Sequence, residues 1–294
     1  MVPPTDPLFP GYAKENHLLD IHLGEPYNCA VTLLVHSMPY QGQYPLLLVS
    51  PYQDAPCAFP QTFLVKVYDP RYITRRYRES IPWSHQPETV AQHTIATVDL
   101  GEFDDSAMPD DDDPVACELY YQRFCAEDAR RERTAYATLE HLQGNGIPRC
   151  FGSGHLSLQS RSVRPPVLLI EHISDAQTME QLCKDRAALV QAMPSILPSA
   201  WRIFRECWEH GVEHNDVHFR NILATPAQHP TSIVLIDFSE SFFREECEPG
   251  EWKRYLDHAY FGVKIPVARA AQVSRSEVER FVPADTRLES KSPR

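Results

Sequence analysis

The sequence predicts an α+β protein of two lobes, with strands gathered early in the chain and helices late. Three observations carry this. Short apolar runs of strand length occur at 30–35, 45–50 and 63–68, bounded by Pro, Gly, Asn or Gln or by short polar links, and together they read as an antiparallel sheet. Apolar residues at helical spacing fill 118–143 and 199–210. A loop-rich stretch separates Gly211 from Phe238. Strands followed by helices are the pattern of an α+β chain. The boundary falls at 173/174, giving an N-lobe over 1–173 and a mainly helical, shortened C-lobe over 174–294.

The composition narrows the partners. With 294 residues, 43% hydrophobic and 23% charged, the chain is long enough for two lobes around a shared cleft and is neither wholly disordered nor collagen-like. The formal net charge is −12, which argues against nucleic acid or an anionic membrane surface as a general partner, because both require a basic face. There are 11 glycines and 26 prolines, against usual shares of roughly 7% and 5%. Neither G-x-x-x-x-G-K-[ST] nor G-x-G-x-x-G occurs, so P-loop and standard dinucleotide folds lose their support. The N-terminal residues lack the basic and apolar regions of a signal peptide, and no apolar run approaches the ~20 residues of a membrane span. Eight scattered cysteines without a C-x-x-C pattern read as reduced thiols. The expectation is a cytoplasmic or otherwise intracellular protein.

Along the chain, 1–16 is proline-rich and expected to fray. The sheet is expected over the three early runs, with one helix over 118–143 ending before Gly144. Between them, 80–116 carries Pro82, Pro87 and the acidic run from Asp104 to Asp113, and reads as a solvated, mobile acidic insertion. A calcium loop there would need the spaced D-x-[DN]-x-[DN]-G pattern, which is missing. A buried strand is expected over 167–173, a capping box at Thr178 and Gln181, a helix over 199–210, a strand over 233–238 and a disordered tail over 283–294.

Two charges are out of place. Glu132 fills a gap in the apolar stripe of the 118–143 helix, and Lys66 interrupts the apolar run Phe-Leu-Val-Lys-Val-Tyr. A buried charge without a partner is very costly, so the two are expected to meet. Taken singly, each also fits a snorkelling lysine and a solvent-facing glutamate. Downstream, His214-Asn-Asp216-Val-His218-Phe-Arg-Asn221 forms a tight polar loop, and Asp237 ends an apolar run sixteen residues beyond Asn221. Oxygen ligands from Asn and Asp suit a hard ion such as Mg²⁺, and a further carboxylate can deprotonate a hydroxyl. Lys, Glu, Asp, Asn and Asp, in that order, are the equipment for moving a phosphoryl group from ATP.

This set resembles the protein-kinase-like superfamily over roughly residues 20–260. The 63–68 run resembles the strand carrying the V-A-I-K lysine, His214–Asn221 matches H-x-D-x-x-x-x-N, and Asp237-Phe-Ser is similar to D-F-G with its last residue changed. His218, two residues after Asp216, makes the loop closer to that of aminoglycoside and choline phosphotransferases than to H-R-D-L-K-x-x-N. The segment from Glu132 through Gly146-Ile-Pro-Arg is similar to fungal kinase-like proteins of undefined substrate. The resemblance implies that Lys66 holds the α- and β-phosphates of ATP with Glu132 orienting it. It implies that Glu171 and Ile173 offer backbone groups to adenine, that Asp216 orients a hydroxyl acceptor beside His218, and that Asn221 and Asp237 bind Mg²⁺. His214 would support the loop.

The departures point to an alternative. There is no glycine-rich loop, only Gly24 and Gly42 lie near the first strands, and 57 residues remain after Asp237 with no A-P-E. These favour a small or atypical acceptor over a protein. They also admit a pseudokinase, a nucleotide- or protein-binding module without the chemistry. A metal hydrolase built on His214, Asp216 and His218 is a third reading, weakened because no second histidine cluster with ligand spacing and no H-E-x-x-H is present in the sequence.

Overall fold

The computed structural model describes residues 11–41, 43–53, 59–73, 83–110, 112–158, 161–248, 252 and 267–281. It is an α+β chain that divides into two compact units, one of residues 1–133 and 149–172, the other of 134–148 and 173–294. The expected tail over 283–294 lies outside the described residues.

The first unit is built on six strands: β1 (Leu18–Leu23), β2 (Ala30–Gln41), β3 (Pro45–Pro51), β4 (Phe63–Val67), β5 (Cys150–Leu156) and β6 (Pro166–Ile170). Their order is β1-β2-β3-β4-β6-β5, and β1 pairs with β5, so the sheet closes into an antiparallel barrel. The antiparallel N-lobe sheet expected from the sequence is thus present, but closed into a barrel. The closing strands lack long apolar runs. β1 alternates exposed and buried residues, and β5 carries two glycines in seven residues. Those glycines permit the closure. Gly154 faces Leu23 across the β1–β5 seam, and a Cβ there would overlap the carbonyl oxygen of His22. Gly152 has φ +149°, a conformation that L side chains rarely adopt, and lies against the Tyr27 ring. Leu19, Ile21, Leu23, Leu33, Leu47, Val49, Phe63, Val65, Val67 and Leu169 fill the interior. β4 is buried on both faces, with Phe63, Val65 and Val67 in the barrel and Lys66 on the other side.

Two helices accompany the barrel where one was expected: α1 (His85–Thr97) and α2 (Pro114–Thr138), whose last turn belongs to the second unit. Asp113 caps α2, its Oδ1 accepting from the amides of Val115 and Ala116, and Pro114 opens the helix where its missing N–H is no loss. α2 stops at Thr138, short of the expected 143, because the chain tightens into a 3₁₀ turn over Glu140–Leu142.

The segment read as a solvated, mobile insertion is anchored at its helix α1, while its described residues between 104 and 113 are mostly exposed. Glu88 on α1 is fully buried and pairs with Arg161, and Trp83 Nε1 donates to its carboxylate at 2.9 Å. Arg161 also meets the buried Asp69 at 3.0 Å, which accepts further bonds from Arg71 and from Tyr12. Gln122 of α2 donates to the Glu88 carbonyl, and Tyr120 to that of Asp105. Burial raises the pKa of Asp69, but the guanidiniums of Arg161 and Arg71 outweigh it and hold the carboxyl below its usual range. Tyr12 is buried as well, so the expected fraying does not reach residues 12 and 13.

The second unit holds β7 (Gln177–Thr178), α3 (Met179–Leu182), α4 (Arg186–Glu209), β8 (Val212–Glu213), β9 (Ile222–Thr225), β10 (Ser232–Leu235), β11 (Phe242–Phe243) and α5 (Arg275–Glu279). β10-β9-β7 form one small sheet and β11-β8 another. Thr178 and Gln181 make the expected capping box. α4 begins thirteen residues before the expected helix, running through Pro194 and Pro198. Its buried stripe, including Leu189, Met193, Ile196, Leu197, Trp201 and Phe204, is continuous across both prolines. Pro194 lies on the exposed side, where water can satisfy the carbonyl that loses its partner. Among the described residues, no helix is long and apolar enough to cross a membrane.

Candidate functional site

In the first unit, Lys66 and Glu132 meet. Lys66 Nζ lies 2.6 Å from Glu132 Oε2, and both side chains are buried. β4 alternation turns Lys66 away from the barrel interior, and the gap in the α2 stripe turns Glu132 towards it. Tyr68, two residues after Lys66 and so on the same side of the strand, donates its hydroxyl to the same carboxylate oxygen at 2.5 Å. Tyr44 closes over the lysine from the β2–β3 connection. Its ring centroid is 5.7 Å from Nζ and 4.7 Å from the Tyr68 ring. Tyr44 donates at 2.6 Å to Asp128, a buried carboxylate one helical turn before Glu132. Burial, and then the Asp128 charge, push the Tyr44 phenol well above its usual pKa, so it remains a donor.

Sequence reasoning missed Tyr44, Tyr68 and Asp128. The two-residue strand period signalled Tyr68. Nothing local signalled Tyr44, because its partner lies 84 residues away.

Glu171 follows β6 at the end of the first unit. Its amide donates to the Arg149 carbonyl at 2.8 Å, and its carboxylate pairs with Arg149 at 2.8 Å. The carbonyl is therefore the backbone group Glu171 can offer a ligand. Ile173 is half-buried and belongs to the second unit.

In the second unit, the His214–Asn221 loop is held by its own polar groups. The backbone turns through Asn215 at φ +57°, and the Asp216 amide donates to the His214 carbonyl at 2.7 Å. Asn221 Nδ2 donates to Asp216 Oδ2 at 2.8 Å and to the Asp216 carbonyl at 3.1 Å. His218 Nε2 lies 3.5 Å from the same carboxylate oxygen. Asp216, His218 and Asn221 thus form one cluster. The amide that donates twice keeps its own carbonyl oxygen as an acceptor or ligand.

The Asp237 loop is tied to this one through Ile236. The Ile236 amide donates to the Asn221 carbonyl at 3.0 Å, and His214 Nε2 donates to the Ile236 carbonyl at 2.8 Å. That bond fixes the His214 tautomer. Burial lowers the pKa of this histidine, so it stays neutral and structural. The His214 ring packs on Phe238 at 4.8 Å, and Tyr136 packs on Phe238 at 5.7 Å. Asp237 itself has φ +66°, a conformation few residues other than Gly, Asn and Asp adopt. Ser239 donates to Asp237 Oδ1 at 2.7 Å, so the residue standing third in Asp-Phe-Ser orients the first.

The donors gathered here are an amide oxygen and carboxylate oxygens, the set a hard divalent ion takes. His214, Asp216 and His218 do not bring one ligand atom each within 4.8 Å of one another, so the three do not form the metal centre of the hydrolase reading.

No family model matches the chain, and no curated protein matches it. Among solved structures, WaaP in complex with acyl carrier protein is similar at 16% identity and a TM-score of 0.36, over 52% of this chain and 69% of that one. A likeness this slight carries no argument about fold or activity.

Proposed function

We infer that the protein is a kinase-like phosphotransferase that moves the γ-phosphoryl group of ATP, with Mg²⁺, to a hydroxyl acceptor. The observation that carries this reading is the pair of polar loops joined at Ile236, which presents Asp216 and Asn221 from one side and Asp237 from the other. Asp216, held by the Asn221 amide, is the carboxylate that orients the acceptor hydroxyl and takes its proton. His218, beside that carboxylate, contacts the transferring group. The Asn221 amide oxygen and the Asp237 carboxylate hold Mg²⁺, a use the oxygen donor set fits. When bound, Mg²⁺-ATP supplies the transferable group and neutralises its charge. Lys66, with Glu132 orienting it, holds the α- and β-phosphates, and backbone groups of Glu171 and Ile173 receive adenine. The acceptor, whether a small molecule or a protein, is a hydroxyl compound.

Calorimetric titration of Mg²⁺-ATP tests the reading. Wild type binds with a magnesium requirement, and Asp237→Ala loses that binding. Asp216→Ala still binds but loses at least about a hundredfold in turnover of any acceptor found. Unchanged turnover in Asp216→Ala overturns the assignment.

One observation favours a second reading, a pseudokinase. The connection nearest Lys66 is pinned shut by Tyr44 on Asp128 instead of offering a glycine-rich phosphate cradle. Absence of nucleotide binding in both wild type and Asp237→Ala would select that reading.

A further inference from the structure

A third cluster lies in the second unit, outside the loops described above. His141 sits in the 3₁₀ turn Glu140–Leu142, and Glu206 and His210 lie four residues apart at the end of α4, on one helix face. His141 Nε2 is 3.5 Å from Glu206 Oε2, and His210 Nδ1 is 3.9 Å from the same oxygen. The two imidazole rings face each other with centroids 4.1 Å apart. One donor atom from each of the three residues lies within 4.8 Å of the other two. His210 Nδ1 also lies 2.8 Å from the Glu206 backbone carbonyl, a bond that makes Nδ1 the protonated nitrogen and leaves the Nε2 lone pair for a ligand.

We propose that His141, Glu206 and His210 form a binding site for a borderline divalent transition metal, Zn²⁺ foremost. Two imidazoles and a carboxylate are a zinc donor set, whereas Mg²⁺ and Ca²⁺ take oxygen ligands. Donor atoms of a tetrahedral zinc site stand about 3.3 Å apart when the bonds are about 2.0–2.1 Å. The His141 Nε2–Glu206 Oε2 spacing of 3.5 Å lies just above that, and one donor atom of each residue already lies within 4.8 Å of the others, a gap that side-chain rotation can close. The side chains are 41%, 34% and 44% exposed, so an ion can enter and a water can take the fourth position. The bound ion would tie the turn after α2 to the end of α4, four residues before His214. The inference does not depend on the phosphotransferase reading.

The test is calorimetric titration of the full chain with Zn²⁺, with Co²⁺ absorption reporting coordination. Wild type takes up one Zn²⁺ at this site, more tightly at pH 8 than at pH 6 because the imidazoles must shed their protons. His141→Gln and His210→Gln each weaken binding by at least about tenfold, and the double variant abolishes it. Metal-free melting of these variants matches wild type, since the side chains are half-exposed, and Asp237→Ala leaves zinc affinity unchanged. The proposal is overturned if wild type takes up no Zn²⁺ below about 0.1 mM. It is equally overturned if the double variant binds as tightly as wild type, which would assign the ion to other histidines or cysteines.

Discussion

Glu213 lies in β8, immediately before His214, and is buried. Burial pushes its carboxyl from 4.5 up to about 7, against the opposing effect of the Asn215 amide that bonds to it. The folded state therefore binds the proton more tightly than the unfolded chain. The stability this contributes is complete below about pH 4.5 and is lost as the pH rises through about 7. At roughly 1.4 kcal/mol per pKa unit, the loss is of the order of 3–4 kcal/mol. Glu213→Gln keeps the neutral form at every pH, so the variant is expected to lose this slope and to exceed wild type in stability at pH 8. Urea unfolding at pH 5 and pH 8 checks this, and equal slopes in both proteins would refute it. His214 works in the opposite sense. Its depressed pKa gives stability that is present above pH 6.5 and falls away under acid. At this scale the sequence was informative where a charge broke a periodic pattern, as at Lys66 and Glu132. It was silent where a partner came from far along the chain, as Asp128 does for Tyr44.

The elements that escaped the sequence reading share one cause. β1, β5 and the first half of α4 are specified by their neighbours more than by their own residues. Gly-Ser-Gly in β5 is poor strand material, yet Gly154 lets β5 approach β1 closely enough to close the barrel. Gly154→Ala is expected to destabilise the protein by about 2–4 kcal/mol, since the new methyl must displace the His22 backbone carbonyl. A denaturant midpoint equal to that of wild type would show that the seam yields without cost. The prolines of α4 misled in the other direction. Local rules place a break there, but ten buried side chains on one stripe outweigh two missing backbone bonds. The strands built on apolar runs, β3, β4 and β6, were legible within a few residues, because β4 and β6 are buried along most of their length and β3 on alternate residues.

For the molecule as a whole, composition predicted a folded chain and the order of strand-like and helical runs an α+β one, and the described residues form one, with a barrel in the first unit and a long amphipathic helix in the second. What composition concealed is where the negative charge resides. A run of four adjacent aspartates suggested a solvated appendage, and the described residues of that run are mostly exposed, yet the stretch ends in a helix cap at Asp113 and follows a helix anchored by Glu88. The Arg161 network joins residues 69, 88 and 161, drawn from three distant parts of the chain. This matters to anyone seeking a minimal version of the protein. Excising 83–110, the obvious cut for a cloner who takes an acidic stretch as dispensable, would strip Arg161 of Glu88 and take Phe103 and the Asp105 carbonyl away from Tyr120 of α2. The shortened chain is expected to melt well below the full one and to aggregate when warmed, whereas a shorter excision inside 104–110, which spares both Glu88 and Asp113, is expected to melt within a few degrees of it.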